Sequence, residues 1–372
     1  MLVVGMSNTR ICGARDHATV LAGELRSRGM SCTICWLGHE QRSLIGAGKV
    51  VRAWLRELAL ELSIVKPDVV ILHYSVFAFS FRGVPLFVGP VTAALRRAKA
   101  PVVTIVHEAV YAAKGGGRKG RLWALPHRAA LIELMRLSAA VVVTADFRAR
   151  WISSRRWLPK RPLAVAPVFS NLPAPAGGAD TMRETGLVGL FGYSYEGSSL
   201  STVLDALVLL RGEAAPGARL VLLGAPGRES SSGAAWLASA RQRGLLDALS
   251  FSGRLPAQEL SNCLAACDVL IFADRGGPSS RKGSLAAALA SGSPVVALDG
   301  PYTWSELRDG ESIRLVERTP QALAEAIAGL LDDRALNERI GDAGRRFADR
   351  EMGIDMTVRA LMGLLEPMGV LG

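Results

Sequence analysis

The densest chemistry in the 372-residue sequence is Ser279-Ser280-Arg281-Lys282-Gly283-Ser284, which packs two cations, a glycine and three hydroxyls into six positions. The run follows an apolar strand pattern at 269–272 and precedes a helical pattern at 285–290. A helix start offers free N–H groups and a positive dipole end, so this run can cradle a pyrophosphate. The alternative is an exposed basic loop with a serine cap. His107-Glu108 ends a second strand pattern at 102–106, on the edge where parallel sheets bind ligands. A lone histidine there serves either structure or proton transfer. Cys12-Gly13-Ala14-Arg15-Asp16-His17 reads as a strand-to-helix turn. Gly13 would admit a ligand close to the backbone, and Asp16 would cap the helix.

A different chemistry runs from 148 to 161. Arg148, Arg150, Arg155, Arg156, Lys160 and Arg161 occur there with Trp151 and Trp157 and no acid. Cations interleaved with tryptophan suit a headgroup-level surface, where each cation near an anionic leaflet contributes about 1 kcal/mol. The phenylalanines of 76–88 are core by default or lipid-facing. The G-x-G-x-x-G at Gly115, Gly117 and Gly120 starts eight residues after His107, so it reads as a flexible basic loop and not a dinucleotide turn. Gly46-Ala47-Gly48-Lys49-Val50 lacks the spacing and hydroxyl of a phosphate loop. Cys32 and Cys35 fall in a strand pattern, and Cys263 and Cys267 in a helical one. Buried free thiols are expected, with no metal and no disulfide framework.

These residues need a scaffold, and the chain can build one. It is 49% hydrophobic, enough for real cores, and 372 residues suit two domains better than one. Apolar strand patterns alternate with helical ones in both halves, which predicts parallel sheets covered on both faces. Residues 171–184, rich in Pro, Ala and Gly, read as a linker. The expected architecture is α/β, two doubly wound Rossmann-like domains in tandem with a ligand cleft between them. Residues 1–170 hold 25 Lys and Arg against 9 Asp and Glu, and residues 171–372 hold 19 against 24. A strongly basic first half points to an anionic partner. No nucleic-acid readout module accompanies that charge. The apolar stretch 76–91 is broken by Arg82, Gly83 and Pro85, so no membrane span is expected. The N-terminus enters a strand pattern without a basic flank, so a cytoplasmic location is expected.

Several segments together resemble bacterial GT-B glycosyltransferases of family 4, the group 1 retaining transferases. Residues 12–17 are similar to the family's C-G-[VI]-x-D-[YH] turn, and Val106-His107-Glu108 to its V-H-[DE] strand end. Residues 168–173 resemble the segment leading into the family's linker. Residues 191–197 resemble its F-G-x-x-x-P-G-K-G turn. Residues 251–255, with Glu259, Leu260 and 266–268, resemble F-x-G…E-L…A-x-D. Residues 288–296 resemble A-M-A-x-G-x-P-V-V, the most specific match. Residues 356–365 resemble the helix that returns to the first domain. The paired glutamates of many members match Ser279 and Ala287, and residues 275–298 contain no acid. Two basic positions for the donor pyrophosphate match Tyr193 and Ser198.

The resemblance implies a domain at 1–170 for the acceptor, a linker at 171–184, a nucleotide-sugar domain at 185–355 and a returning helix at 356–372. It implies sugar transfer from a nucleotide-diphosphate sugar, a donor substrate and not a cofactor, without a metal. His107 would contact the donor sugar as the catalytic candidate. Gly13, Gly192, Arg254, Arg281, Lys282, Gly283 and Ser284 would bind the donor, and Asp16 and Tyr74 the acceptor. A lipid-linked or otherwise anionic acceptor at the inner membrane face, in polysaccharide or glycolipid assembly, fits the basic half. A catalytically silent GT-B protein partnering another transferase fits the missing glutamates. A nucleotide-sugar epimerase is disfavoured by the lack of a carboxylate pair.

Overall fold

The computed structural model describes residues 1–9, 12–109, 117–177, 182–192 and 198–370. Met1–Pro167 with Ile354–Gly372 form one compact unit, and Val168–Gly353 form the other.

The first unit strings together β1 (Leu2–Ser7), α1 (Gly13–Ser27), β2 (Thr33–Gly38), α2 (Leu44–Val65), β3 (Val70–Ser75) and α3 (Val88–Arg97). It continues with β4 (Val102–Glu108), α4 (Gly117–Leu137), β5 (Ala140–Val143), α5 (Asp146–Ser153) and β6 (Leu163–Val165). Its sheet has the order β2-β1-β3-β4-β5-β6, every pair parallel. β1 and β5 are buried along their whole length, because helices cover both faces. A parallel crossover needs a long connection, here a helix between successive strands of this sheet, and capping fixes where some helices begin. The Ser43 hydroxyl, for one, accepts from Gly46 N at 3.0 Å to start α2.

The second unit repeats the plan with β7 (Glu184–Phe191), α6 (Ser198–Glu213), β8 (Arg219–Leu223), α7 (Ser231–Gln242), β9 (Leu249–Gly253) and α8 (Ala257–Ala266). Then follow β10 (Cys267–Phe272), α9 (Gly283–Ala290), β11 (Val295–Leu298), β12 (Arg314–Val316), α10 (Pro320–Asp332) and α11 (Arg334–Glu351). The order is β12-β11-β10-β7-β8-β9, again all parallel, with a loop in place of a helix from β11 to β12. α12 (Ile354–Leu365) packs in the first unit on α1, β5 and β6, burying Val358, Leu361 and Leu365. Two doubly wound domains are therefore present. The strand order reverses between β1 and β3 in the first sheet and between β7 and β10 in the second.

Several expectations are corrected. The second unit begins at Val168 and so takes in the stretch expected as a linker at 171–184 ahead of a domain at 185, and the returning segment starts at Ile354 where 356 was expected. Residues 171–177 are no free linker. Ser261 Oγ donates to Pro173 O at 2.6 Å, Gln258 Nε2 to Ala174 O at 2.9 Å, and Ala176 N to Asn262 Oδ1 at 2.9 Å. Composition showed no periodicity there because side chains of α8, not local structure, satisfy this backbone. Cys267 opens strand β10, not a helix, and its thiol is fully buried. Gly117 and Gly120 belong to α4, not to a loop, while Lys114 and Gly115 lie outside the described residues. Phe79 and Phe87 are core, and Phe77 is exposed. All five cysteines are free. Among the described residues no helix is long and apolar enough to cross a membrane.

Candidate functional site

In doubly wound sheets the ligand crevice opens at the strand carboxyl ends beside the order reversal. In the second unit that place holds the turn after β7 and the loop from β10 into α9. Gly192, just past β7, has φ +76°, and a Cβ on it would stand 3.2 Å from Ser284 Cβ. Two predicted donor residues, far apart in sequence, therefore meet here; the backbone angle favours glycine, and a side chain would crowd Ser284. Gly283 and Ser284 open α9, with Lys282 at the cap position in extended backbone. The cradle loop is anchored from behind by Val168 N, which donates to Ser280 O at 2.7 Å.

The two cations of this loop behave differently. Lys282 Nζ is 2.5 Å from Asp274 Oδ2, and Asp274 Oδ1 accepts from Gly276 N at 2.8 Å. Burial opposes ionisation of Asp274, but the hydrogen bond and charge of Lys282 outweigh it and hold the carboxyl below its usual range. Asp274 lies one residue before the acid-free window, so Lys282 has an internal counter-ion that local spacing hid. Nε of Arg281, by contrast, is buried without a hydrogen-bond partner among the described residues. Such an N–H is costly unless a ligand or water completes it. Ser279 and Ala287, which the sequence resemblance aligns with paired glutamates, are both buried. Arg254 is exposed beyond β9, with β8 between it and β7, and no described contact joins it to the cradle. Tyr193 lies outside the described residues.

Sequence reading missed Arg318. Its Nη1 donates to Asp274 O at 2.9 Å and Asp299 O at 3.1 Å, and its Nη2 to Ser199 Oγ at 3.2 Å. One guanidinium thus ties the loops after β10 and β11 to the start of α6. Nothing in its own neighbourhood signals that role, since Thr319 and Pro320 mark only a helix start.

In the first unit the carboxyl ends of β3 and β4 and the start of α1 gather three imidazoles. His73 Nδ1 is 3.0 Å from His107 Nε2, with the rings stacked at 23°. His17 stands edge-on to both, its ring centroid 5.5 Å from that of His73 and 5.1 Å from that of His107. β3 and β4 slip register between Tyr74–Val106 and Ser75–Glu108, leaving His107 opposite no residue of β3. A bulge of this kind re-aims a side chain at a strand end. Ser75 Oγ then donates to Glu108 Oε2 at 3.1 Å.

Burial, then the charge of Arg148, pushes His107 down to about 4. Burial foremost, then the neighbouring imidazoles, lowers His17 and His73 as well. All three rings are neutral at pH 7. Their ring nitrogens lie within 4.8 Å of one another, so the three could close on a transition-metal ion, although no metal was expected from the sequence. His73 Nδ1, however, is already committed to His107.

Tyr74 is corrected from acceptor ligand to core residue: its ring packs against Phe79 and the side chain is fully buried. Asp16 does not cap α1. Cys12 holds the cap position, and Asp16 is exposed in the first turn, where its charge complements the helix dipole. Gly13 opens α1 with nothing within 4 Å of a Cβ position, so packing does not require glycine there.

The cationic stretch divides. Arg148 turns inward, its guanidinium donating to His107 O and to Thr144 Oγ1, and leaves the surface set. Arg150, Arg156, Trp157, Lys160 and Arg161 are exposed, and Trp151 and Arg155 half-buried. Trp151 and Trp157 meet edge to face at 6.1 Å, with Arg155 5.0 Å over Trp151 and Arg128 6.0 Å over Trp157. Leu125, one turn before Arg128 on α4, adds an exposed apolar side chain.

Residues 185–333, most of the second unit, match the family model for glycosyl transferases group 1. None of the curated proteins matches the chain. Solved structures share its architecture from end to end. A glycosyltransferase from Rickettsia africae is 14% identical, with a TM-score of 0.69 over 99% of this chain and 98% of that one. Anabaena HepE in complex with UDP and glucose is 14% identical, with a TM-score of 0.67 over all of both chains. The sucrose-phosphate synthase of Thermosynechococcus elongatus is 15% identical, with a TM-score of 0.70 over 99% and 100%. The fold is the two-domain Rossmann-like GT-B architecture, and the second unit carries the group 1 sequence pattern.

Proposed function

We propose that this protein transfers a sugar, with retention, from a nucleotide-diphosphate sugar to an acceptor. The observation that carries the reading is the cradle at the β7/β10 reversal, where Gly192 meets Ser284 beside the buried, unsatisfied Nε of Arg281. In transfer, the bond from the anomeric carbon to the diphosphate breaks. A bond to the acceptor oxygen forms, and the proton of the acceptor hydroxyl passes to the departing diphosphate. Arg281 and the first N–H groups of α9 meet the growing charge of the leaving diphosphate, without a metal ion. His107, neutral at pH 7, hydrogen-bonds the transferred sugar. HepE binds UDP and glucose, so uridine nucleotides head the donors to test.

A thermal-shift screen of UDP, GDP, ADP, CDP, dTDP and their sugars tests this. A nucleotide at about 100 times its Kd stabilises by about 2.7 kcal/mol, a rise of roughly 5–10 °C for a unit of this size. The rise should vanish in Arg281→Ala/Lys282→Ala. A second reading, a silent partner of another transferase, is favoured by the Lys282–Asp274 pair and by neutral Ser279 and Ala287. No shift with any nucleotide would choose it.

The acceptor is proposed to be lipid-linked or otherwise anionic, met at the inner membrane face in polysaccharide or glycolipid assembly. Exposed Trp157 and Leu125 among cations support this. Neutralising Arg155, Arg156, Lys160 and Arg161 to Gln should weaken binding to anionic liposomes by up to roughly a thousandfold at low salt. Unchanged co-sedimentation would remove the membrane from the proposal.

A further inference from the structure

The pairing of His73 with His107 has a chemical consequence that neither residue carries alone. Nε2 of His73 is buried with no hydrogen-bond partner among the described residues, enclosed with Trp36 edge-on to the ring at 6.1 Å. Buried N–H groups without an acceptor are rarer than bare buried acceptors. The proton of His73 therefore belongs on Nδ1, the nitrogen 3.0 Å from His107. With that N–H donating, His107 Nε2 must accept, and the one proton of its neutral ring moves to Nδ1.

We infer that His73 is a positioning residue that locks His107 in its Nδ1–H tautomer, so that His107 offers a ligand a single donor, Nδ1–H, from a ring of fixed orientation. Three further features hold the arrangement. The strand bulge leaves His107 without a ladder partner, the Arg148 guanidinium grips its carbonyl, and Ser75 anchors Glu108 beside it. His73 itself touches no solvent and so acts through His107 alone. The catalytic consequence rests on the proposed transferase reading, whereas the tautomer does not.

The test is long-range 1H–15N correlation on the full chain with 15N-labelled histidine at pH 7.5, assigned by single His variants. Both His73 and His107 should give the Nδ1–H pattern. In His73→Leu the His107 pattern should move toward Nε2–H or an average. In His73→Asn, whose side-chain amide can take the place of Nδ1–H, it should return. If transfer activity is present, kcat should drop about 10- to 100-fold in the Leu variant and recover in the Asn variant, with KM for the donor little changed. An Nε2–H pattern for His107 in the unmodified protein overturns the inference, whether or not the Leu variant folds. A correct tautomer in a protein that transfers no sugar would keep the inference and overturn the functional reading.

Discussion

Acidifying the protein from pH 7 to pH 4 is expected to cost the first unit about 3 kcal/mol through His107 alone. The native ring stays neutral down to about 4, whereas in the unfolded chain it titrates near 6.5. Between those values the unfolded state binds more protons, so stability rises with pH and falls as acid is added. His17 and His73, also lowered by burial, push in the same direction. The effect is retained above about pH 6.5 and lost progressively below it. Two measurements check this. The C2–H resonances of the three rings should not titrate between pH 8 and 5.5. The urea midpoint of His107→Asn should fall less steeply with acid than that of the unmodified chain. Ordinary titration near 6.5 would mean that the cluster is open to water.

Gly300→Ala should disrupt the second unit more than any exposed change. A Cβ on Gly300 would lie 2.5 Å from Gly277 N and 2.6 Å from the carbonyl carbon of Gly276, and backbone atoms cannot rotate away. Gly277 itself holds φ +81°, so the loop has no relaxed alternative nearby. The two loops are also zipped by Tyr302 N to Gly276 O and Trp304 N to Pro278 O, each 2.8 Å. Overpacking of this kind costs about 3 kcal/mol. Tm should fall by roughly 5–10 °C, and any nucleotide-induced shift should shrink because the segment leading to Arg281 moves. Gly217→Ala, with nothing within 4 Å, is the matched control and should be nearly silent. Equal Tm values for the two variants would show that the loops part freely.

The alternating pattern made both sheets legible, because strands buried on both faces leave unbroken apolar runs such as 69–72 and 269–272. The loop at 279–284 was legible as a helix start, since those residues are contiguous, but its approach to Gly192 was not. What stayed hidden was made by topology. His17, His73 and His107 are joined only because β1, β3 and β4 lie side by side, an order no local spacing encodes. The Lys282–Asp274 pair closes across a loop, so a window starting at residue 275 counted no acid where one was bound. Arg148 looked like one more surface cation until the carboxyl end of β4 supplied a carbonyl for it. Tyr74 followed a strand into what read as a rim, yet Phe79 and the core claimed its ring.

The path of α12 bears on how the protein is made. The second unit is an insertion within the first, bounded by Pro167 and Ile354. All six strands of the first sheet have been synthesised by Val165, but the helix that buries Val358, Leu361 and Leu365 against α1, β5 and β6 comes last. On the ribosome the later-encoded unit can close completely while the earlier one waits with an apolar face uncovered. Truncation just before Ile354 should therefore injure the N-terminal half of the protein, the half farther from the cut along the chain.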